Sequence, residues 1–272
     1  MIRETKFKPV IKWSGSKRSQ APTIIQNVPI FEKYYEPFVG GGSIAYALAP
    51  QNGICGDIYS PLIEFWTKVK KEPDSLPQSY ARQWQELQDN GHTIFYEVRD
   101  RFNISPNAED LLFLSRTCVN GLIRFNRNGE FNNALHHTRK GINPKTLHSI
   151  MLEWSKRIQG LEFVCGDYRS TLESVTSNDF VYLDPPYFNT KHKRYLETIE
   201  YEPFIEFLEL LNSKGVKYAL SYDGVRGDND YTVQLPKELY KQHLFIKSGN
   251  SSFRKVMDGK QEMVTESLYL NY

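Results

Sequence analysis

Short apolar runs that end in an acid or in glycines recur along the chain. The first is "KYYEPFVGGG" at 33–42, and "NGICGDI" follows at 52–58. Much later come "LEFVCGDY" (161–168), "DFVYLDPPY" (179–187) and "VKYALSYDG" (216–224). Continuous apolar runs of this length, bounded by turn residues, predict buried strands. Helical periodicity fills the gaps: "SIAYALA" follows the glycines, and in "YEPFIEFLELLNSKG" (201–215) Phe204, Phe207, Leu208 and Leu211 share one face. Strands alternating with helices predict an α/β fold with a parallel, doubly wound sheet. Ligands of such sheets sit beyond the carboxyl ends of the strands, where these acids and glycines fall.

The alternation stops between residues 60 and 149. Helical stretches take over ("SPLIEFWTKVKK", "SYARQWQELQDN", "TIFYEVRDRFN", "EDLLFLSRTCV"), followed by a polar run, "NGLIRFNRNGEFNNALHHTRKGINP". This predicts an inserted, mostly helical subdomain at 60–149 with a loop or hairpin at its tip, set into a domain made of 1–59 and 150–272. The C-terminal "QHLFIKSGNSSFRKVMDGKQEMVTESLYLNY" predicts two strands joined by a long loop, a hairpin closing the sheet's edge.

Composition changes this picture little. The 272 residues are 40% hydrophobic and 24% charged with a net charge of +2, so any basic surface must be local rather than global. Cys55, Cys118 and Cys165 are odd in number and lack C-x-x-C spacing. A reduced, cytoplasmic protein without disulfides or a metal site is expected. The N-terminal "MIRETKFKPVIKW" has no apolar core of a signal peptide, and no run approaches the length of a membrane span.

Glycines between a strand and a helix, as in "EPFVGGGS", let the backbone approach a ligand; a plain tight turn is the alternative. The pattern is not G-x-G-x-x-G, and no phosphate-binding G-x-x-x-x-G-K-[ST] is present. Asp57, at the end of the next strand, is placed to accept from ribose hydroxyls, or else caps a turn. Together they favour an adenosine-like ligand without phosphate.

In "DPPY", Asp184 and Pro185 each precede a proline, which holds the segment extended. The Asp184 carboxylate and the Pro185 carbonyl can then converge on one point, as two acceptors for the two N–H donors of a planar amine. Pro186 extends the rigid segment, and Tyr187 offers a flat surface for stacking a planar ring. The nitrogen of such an amine is a poor nucleophile; in-plane acceptors stabilise the positive charge it gains during attack.

Four blocks in order now resemble one family, the Dam-like (D12 class, α group) DNA adenine-N6 methyltransferases: "KWSGSK" (12–17), "EPFVGGGS" (36–43) with "GDI" (56–58), "NGLIRFNRNGEFN" (120–132) and "DPPY" (184–187). The resemblance spans nearly the whole chain. It implies a Rossmann-like S-adenosylmethionine-dependent methyltransferase sheet carrying an inserted target-recognition subdomain. It also implies transfer of the cofactor's methyl to N6 of a flipped-out adenine in duplex DNA. Trp13 and Lys17 would contact the methionine part of S-adenosylmethionine. Phe38, Gly40 and Gly42 would form its cradle, Asp57 would hold its ribose, Asp167 would sit near its adenine, and Asp184 would close the site. Lys12, Asn120, Leu122, Arg124, Asn126, Arg139 and Lys140 would meet DNA. The implied partners are double-stranded DNA and, in a restriction-modification role, a cognate endonuclease, with no membrane or metal; a monomer is expected.

The basic residues agree with a DNA-facing loop. Between 116 and 145 stand Arg116, Arg124, Arg127, Arg139, Lys140 and Lys145, opposed among acids only by Glu130, and "KHKR" at 191–194 follows the catalytic strand. Two departures matter. Val119 stands where GATC-specific relatives tend to carry an aromatic, and "NNALHHTRK" lacks the proline expected after G-E-F-N, so GATC is not implied. Two alternatives remain: methylation of another planar amine (adenine in RNA, or N4 of cytosine, whose motif usually begins with Ser rather than Asp), and a DNA-binding module that keeps the fold without catalysis.

Overall fold

A computed structural model describes residues 7–138, 140–186, 199–222, 224–226, 229–230, 232, 235–250 and 263–272. Among the expected functional residues, Tyr187, Arg139 and the 191–194 cluster lie outside these, as does the loop joining the C-terminal strands.

In chain order the first half holds α1 (Ala21–Gln26), β1 (Tyr34–Glu36), α2 (Ser43–Leu48), β2 (Gly53–Asp57), α3 (Ser60–Lys71), α4 (Ser75–Asn90), α5 (Thr93–Ile104) and α6 (Ala108–Thr117). The second half holds α7 (Pro144–Arg157), β3 (Leu161–Cys165), α8 (Tyr168–Thr171), β4 (Phe180–Leu183), α9 (Tyr201–Ser213), β5 (Lys217–Tyr222), the two-residue strands β6 (Val225–Arg226) and β7 (Asn229–Asp230), β8 (Gln242–Asn250) and β9 (Met263–Leu270). Strands β3-β2-β1-β4-β5 are parallel, and β9 adds antiparallel to β5. β8 pairs along β9 on its far side, so the C-terminal hairpin does close that edge. The result is a mixed α/β sheet with helices on both faces.

The alternation of side chains along the strands explains both faces. Tyr34, Phe180, Tyr182 and Ala219 point into one core with α1, α2, α3 and α7. Tyr35, Val181, Leu183, Tyr218 and Leu220 point into a second core with α8 and α9. A central parallel strand is buried on both sides, hence continuously apolar. β3 departs from the expected buried strand: Leu161 is buried, but Glu162 and Cys165 are exposed. Its place at the sheet's outer edge leaves it a partner on one side, β2.

Helix α3 fastens the helical segment to the sheet. Pro61 stands in its first turn, and Leu62, Phe65, Trp66 and Val69 recur at helical spacing and are buried. Buried residues of α4 to α7 continue the same core without a break. Asp110, 2% exposed, accepts from Arg101 (2.6 and 2.9 Å) and Gln83 (2.6 Å), joining α6 to α5 and α4. Beyond α6 the chain forms a hairpin-like loop closed by Cys118–Leu135 and Phe125–Phe131 bridges. Arg116 does not join the basic face of this loop. Its guanidinium turns inward onto the carbonyls of Pro9 and Val10, tying down the N-terminal segment, and burial lowers its pKa to about 10. Among the described residues no helix is long and apolar enough to cross a membrane.

Candidate active site

The order of the parallel strands reverses between β1 and β4, which are neighbours although β2 and β3 intervene in sequence. Crevices open at such a switch point, beyond the carboxyl ends of the strands. Here the glycine loop leaves β1 and Asp184 leaves β4, side by side. Between them lies a cavity of about 400 Å³. It is bounded by the segment 13–17, the glycine loop, Asp57 to Tyr59, Gly166 to Arg169, Asp184 and Pro186, and from the hairpin by Phe125.

The loop's glycines are dictated by crowding and backbone. Gly40 and Gly42 have φ of +44° and +65°, which other residues rarely adopt. A Cβ on Gly40 would stand 2.9 Å from Trp13 Nε1, and one on Gly42 2.9 Å from Trp66 Cζ2. Trp66 Nε1 also donates to the Gly40 carbonyl (2.9 Å). The indoles thus brace a bare backbone against the cavity, ahead of a short, wholly buried helix α2.

Asp57 closes the loop from the other side. Its Oδ2 accepts from Gly40 N (3.2 Å) and its Oδ1 from Tyr59 N (3.0 Å). Burial raises its pKa to about 6 against those bonds. A carboxylate has about four lone-pair sites, so the backbone donors of Gly40, Ile58 and Tyr59 still leave capacity for a ligand hydroxyl. Asp167 also lines the cavity, but its Oδ1 caps α8 by accepting from Arg169 N (2.8 Å). Phe38 packs on Tyr168 (5.4 Å between rings) and Trp13 on Tyr59 (6.2 Å), making aromatic walls.

Lys17 is 4% exposed, and its Nζ lies 2.8 Å from Asp184 Oδ1 and 3.4 Å from Glu266 Oε2. It also donates to the Gly15 carbonyl (3.1 Å). The lysine expected at a cofactor carboxylate therefore lies in a buried ion pair with the expected catalytic aspartate. Burial raises the Asp184 pKa to about 6; Lys17 opposes the rise and Glu266 adds to it. Behind them Glu36, 2% exposed, accepts from Tyr34 Oη (2.9 Å) and Ala45 N (3.1 Å). Its pKa is pushed up to about 8 by burial first, and also by the Asp184 charge.

The hairpin carries most of the expected DNA-facing residues. Arg124 and Lys140 are exposed. Asn120 is exposed with φ of +58°, and the Lys12 stem crosses the next residue, where a Cβ on Gly121 would meet Lys12 Cβ at 2.8 Å. Leu122 is half-buried, and its carbonyl accepts from Asn133 Nδ2 (2.8 Å). Asn126 braces the tip: its Oδ1 accepts from the Asn128 and Glu130 amides, and its Nδ2 donates to Glu130 Oε2 (2.6 Å).

Sequence reasoning missed Glu36, Tyr59, Tyr168, Phe125 and Glu266. Glu36 opens the EPFVGGGS segment, and its place at the end of a strand buried on both faces is a usable signal. Tyr59 and Tyr168 follow Asp57 and Asp167 closely. Phe125 looked like one apolar residue in a polar loop, yet it meets Tyr59 edge-on (5.5 Å) and joins hairpin to cavity.

The sequence profile described as D12 class N6 adenine-specific DNA methyltransferase matches residues 13–250. Among curated relatives, the type II methyltransferase M.MjaIII of Methanocaldococcus jannaschii is 30% identical, over 86% of this chain and 88% of its own. The type II methyltransferase M1.LlaDCHI of Lactococcus lactis is 26% identical, over 98% and 96%. The DNA adenine methylase of Serratia marcescens is 34% identical over 67% of each.

Proposed function

The chain belongs to the D12 class N6 adenine-specific DNA methyltransferases, and from that premise we propose how its residues divide the work. It is an adenine-specific DNA methyltransferase, and membership implies dependence on S-adenosylmethionine. The cavity suits that cofactor. It offers a bare-backbone cradle at Gly40 and Gly42, and among the described residues the buried Ser14 Oγ has no hydrogen-bond partner. Five carboxylic acids line it, Glu36, Asp57, Asp167, Asp184 and Glu200, fitting a ligand with a sulfonium and an ammonium group against one carboxylate. When bound, the cofactor supplies a methyl group activated by attachment to a cationic sulfur. Asp57 would hold the ribose hydroxyls, Phe38 and Tyr168 would flank the adenine with Asp167 close by, and Trp13 and the 14–17 segment would enclose the methionine end.

The observation that carries the catalytic reading is Asp184: a carboxylate at the end of a buried strand, at the switch point, paired with a buried lysine at the cavity's rim. Lys17 engages Oδ1, and the other oxygen would accept one N–H of the target amine, with the Pro185 carbonyl accepting the second. Those acceptors stabilise the charge the amine gains as it attacks, and holding the amine in line supplies the rest. Tyr187 would stack on the base. Adenine inside a duplex cannot reach such a cavity, so it must be flipped out. The test is transfer of tritiated methyl to duplex DNA, with nucleosides separated after digestion. Label in N6-methyldeoxyadenosine is expected; label in N4-methyldeoxycytidine, or in RNA alone, overturns the reading.

Asp57→Ala is expected to weaken cofactor binding while duplex binding changes little. A hydrogen bond to a charged group is worth roughly 1.5–3 kcal/mol, so affinity falls about ten- to a hundredfold. Because burial places the Asp57 pKa at about 6, wild-type affinity should also decline as pH falls through that value. Calorimetric titration of the cofactor checks both; an unchanged dissociation constant would exclude Asp57 from the site.

The 60–149 segment is the proposed target-recognition unit, with Arg124 reading a base and Lys140 contacting phosphate. Asn120, Leu122 and Lys12 would line the same groove. The braced Asn126 would shape the loop, and Arg139 would add phosphate contacts. Arg124→Ala should cost roughly 1–3 kcal/mol at one base position and relax preference there. Lys140→Ala should weaken all sequences alike and flatten the salt dependence by about one unit of slope. Genome-wide methylation mapping of both variants, with salt titrations, separates the roles; a motif as sharp as wild type in Arg124→Ala would leave Arg124 only a backbone clamp.

A further inference from the structure

Glu266 belongs to no motif that drew attention in the sequence. It lies in β9, separated from Asp184 by the whole width of β5, which runs between β4 and β9. Yet its side chain is only 15% exposed and its Oε2 stands 3.4 Å from the same ammonium that Asp184 Oδ1 approaches at 2.8 Å. One lysine thus serves two carboxylates from separate strands, at a site where few water molecules can compensate the second charge.

The backbone under Glu266 is tightly held. A Cβ on Gly224 would come within 2.3 Å of the Thr265 carbonyl oxygen and 2.9 Å of Glu266 Cα. The chain after β5 therefore passes against β9 where Glu266 stands. On the other side Glu266 is in register with Ile246 of β8. Among the described residues, Glu36 of β1 and Tyr182 of β4 also feel the Asp184 charge.

We propose that Glu266 is a positioning residue for methyl transfer: by sharing the Lys17 ammonium it keeps Asp184 from being wholly engaged by the lysine, and so keeps Asp184 able to accept from the target amine. This rests on the reading of Asp184 as the catalytic acceptor. An ammonium given entirely to Asp184 would withdraw electron density from its oxygens and make them poorer acceptors. A second carboxylate 3.4 Å from the same ammonium competes for it. Glu266 also raises the Asp184 pKa, so its charge should be visible in the pH dependence of the step.

The experiment compares Glu266→Gln, Glu266→Asp and Asp184→Ala by single-turnover methylation across pH, by cofactor and duplex titration, and by melting across pH. Glu266→Gln is expected to lower the plateau rate about tenfold while cofactor and duplex dissociation constants stay within about threefold. The acid limb of its rate profile should move to lower pH, because the charge that lifts the Asp184 pKa is gone. The pH range over which the protein loses melting temperature should move the same way, a readout independent of turnover. Glu266→Asp, which keeps the charge on a shorter stem, should leave the limb near its wild-type position and recover part of the rate; it also serves if the glutamine variant does not fold. A wild-type plateau and limb in Glu266→Gln, with Asp184→Ala inactive, overturns the positioning role and leaves the Asp184 reading intact. A rate loss matched by an equal loss of cofactor binding overturns it too. An active Asp184→Ala overturns the Asp184 reading itself.

Discussion

Asp184→Ala is expected to abolish methyl transfer while the protein still folds and still binds S-adenosylmethionine. Removing one group aimed at developing charge costs roughly 2.7–4 kcal/mol, about a hundred- to a thousandfold in rate, and here the acceptor contacts the reacting nitrogen itself. Activity within about tenfold of wild type, roughly 1.4 kcal/mol of barrier, would remove Asp184 from the chemistry. Folding should not suffer. Burial lifts the folded-state pKa of Asp184 to about 6, above the 3.8 of an unperturbed carboxyl. The folded protein then holds that proton more tightly than the unfolded chain, and the stability this gives is lost as pH rises from about 4 through 6. At neutral pH the ionised carboxylate is a liability to the fold, so Asp184→Asn should melt at or above the wild-type temperature although it is inactive. The wild-type rate should in turn fall as pH drops through about 6, since a protonated Asp184 cannot accept both as a charge and as a lone pair. A rate independent of pH between about 5 and 8 would contradict the assignment of that group.

How far the site was legible in the sequence follows from what each residue needed. Asp57, Asp184 and the glycines sit at ends of apolar runs. A strand buried on both faces announces itself by composition, and the ligand side of such a sheet is fixed by topology. The hairpin was legible too, from its glycines and asparagines. The role of Asn126 was not, because an asparagine that reads a base and one that folds its own turn have the same neighbours in sequence; here Glu130 takes its Nδ2. Arg116 looked like part of a basic run, and the carbonyls of Pro9 and Val10 that turn it inward lie far back along the chain. Glu266 failed for the same reason in sharper form. Its partner Lys17 is at the opposite end of the chain, and sequence periodicity carries no information about which side chains cross over a neighbouring strand. β3 was misjudged as buried because apolar content alone does not distinguish an edge strand from a central one.

The asymmetry of the Lys17 cluster gives the other large effect. Two carboxylates share one ammonium, so deleting one anion leaves the cation paired, whereas deleting the cation leaves Asp184 and Glu266 facing each other, 19% and 15% exposed. Lys17→Met keeps the stem's volume and removes the charge. Breaking a buried pair by removing one partner costs about 3–5 kcal/mol, a fall in melting temperature on the order of 5–10 °C for a domain of this size. The loss should depend on pH with a definite sign. Lys17 holds the Asp184 pKa down, so without it the folded-state value climbs beyond about 6 while the unfolded value stays put. At about pH 5 the variant's Asp184 is protonated in the folded state and the repulsion is relieved; as pH rises through the elevated pKa the proton is lost and the deficit grows. The variant should therefore lie close to wild type in acid and well below it at about pH 8. Denaturant unfolding at both pH values measures this directly. An equal deficit at both would mean that Lys17 holds the fold by packing of its stem, and that the charge between Asp184 and Glu266 stabilises nothing.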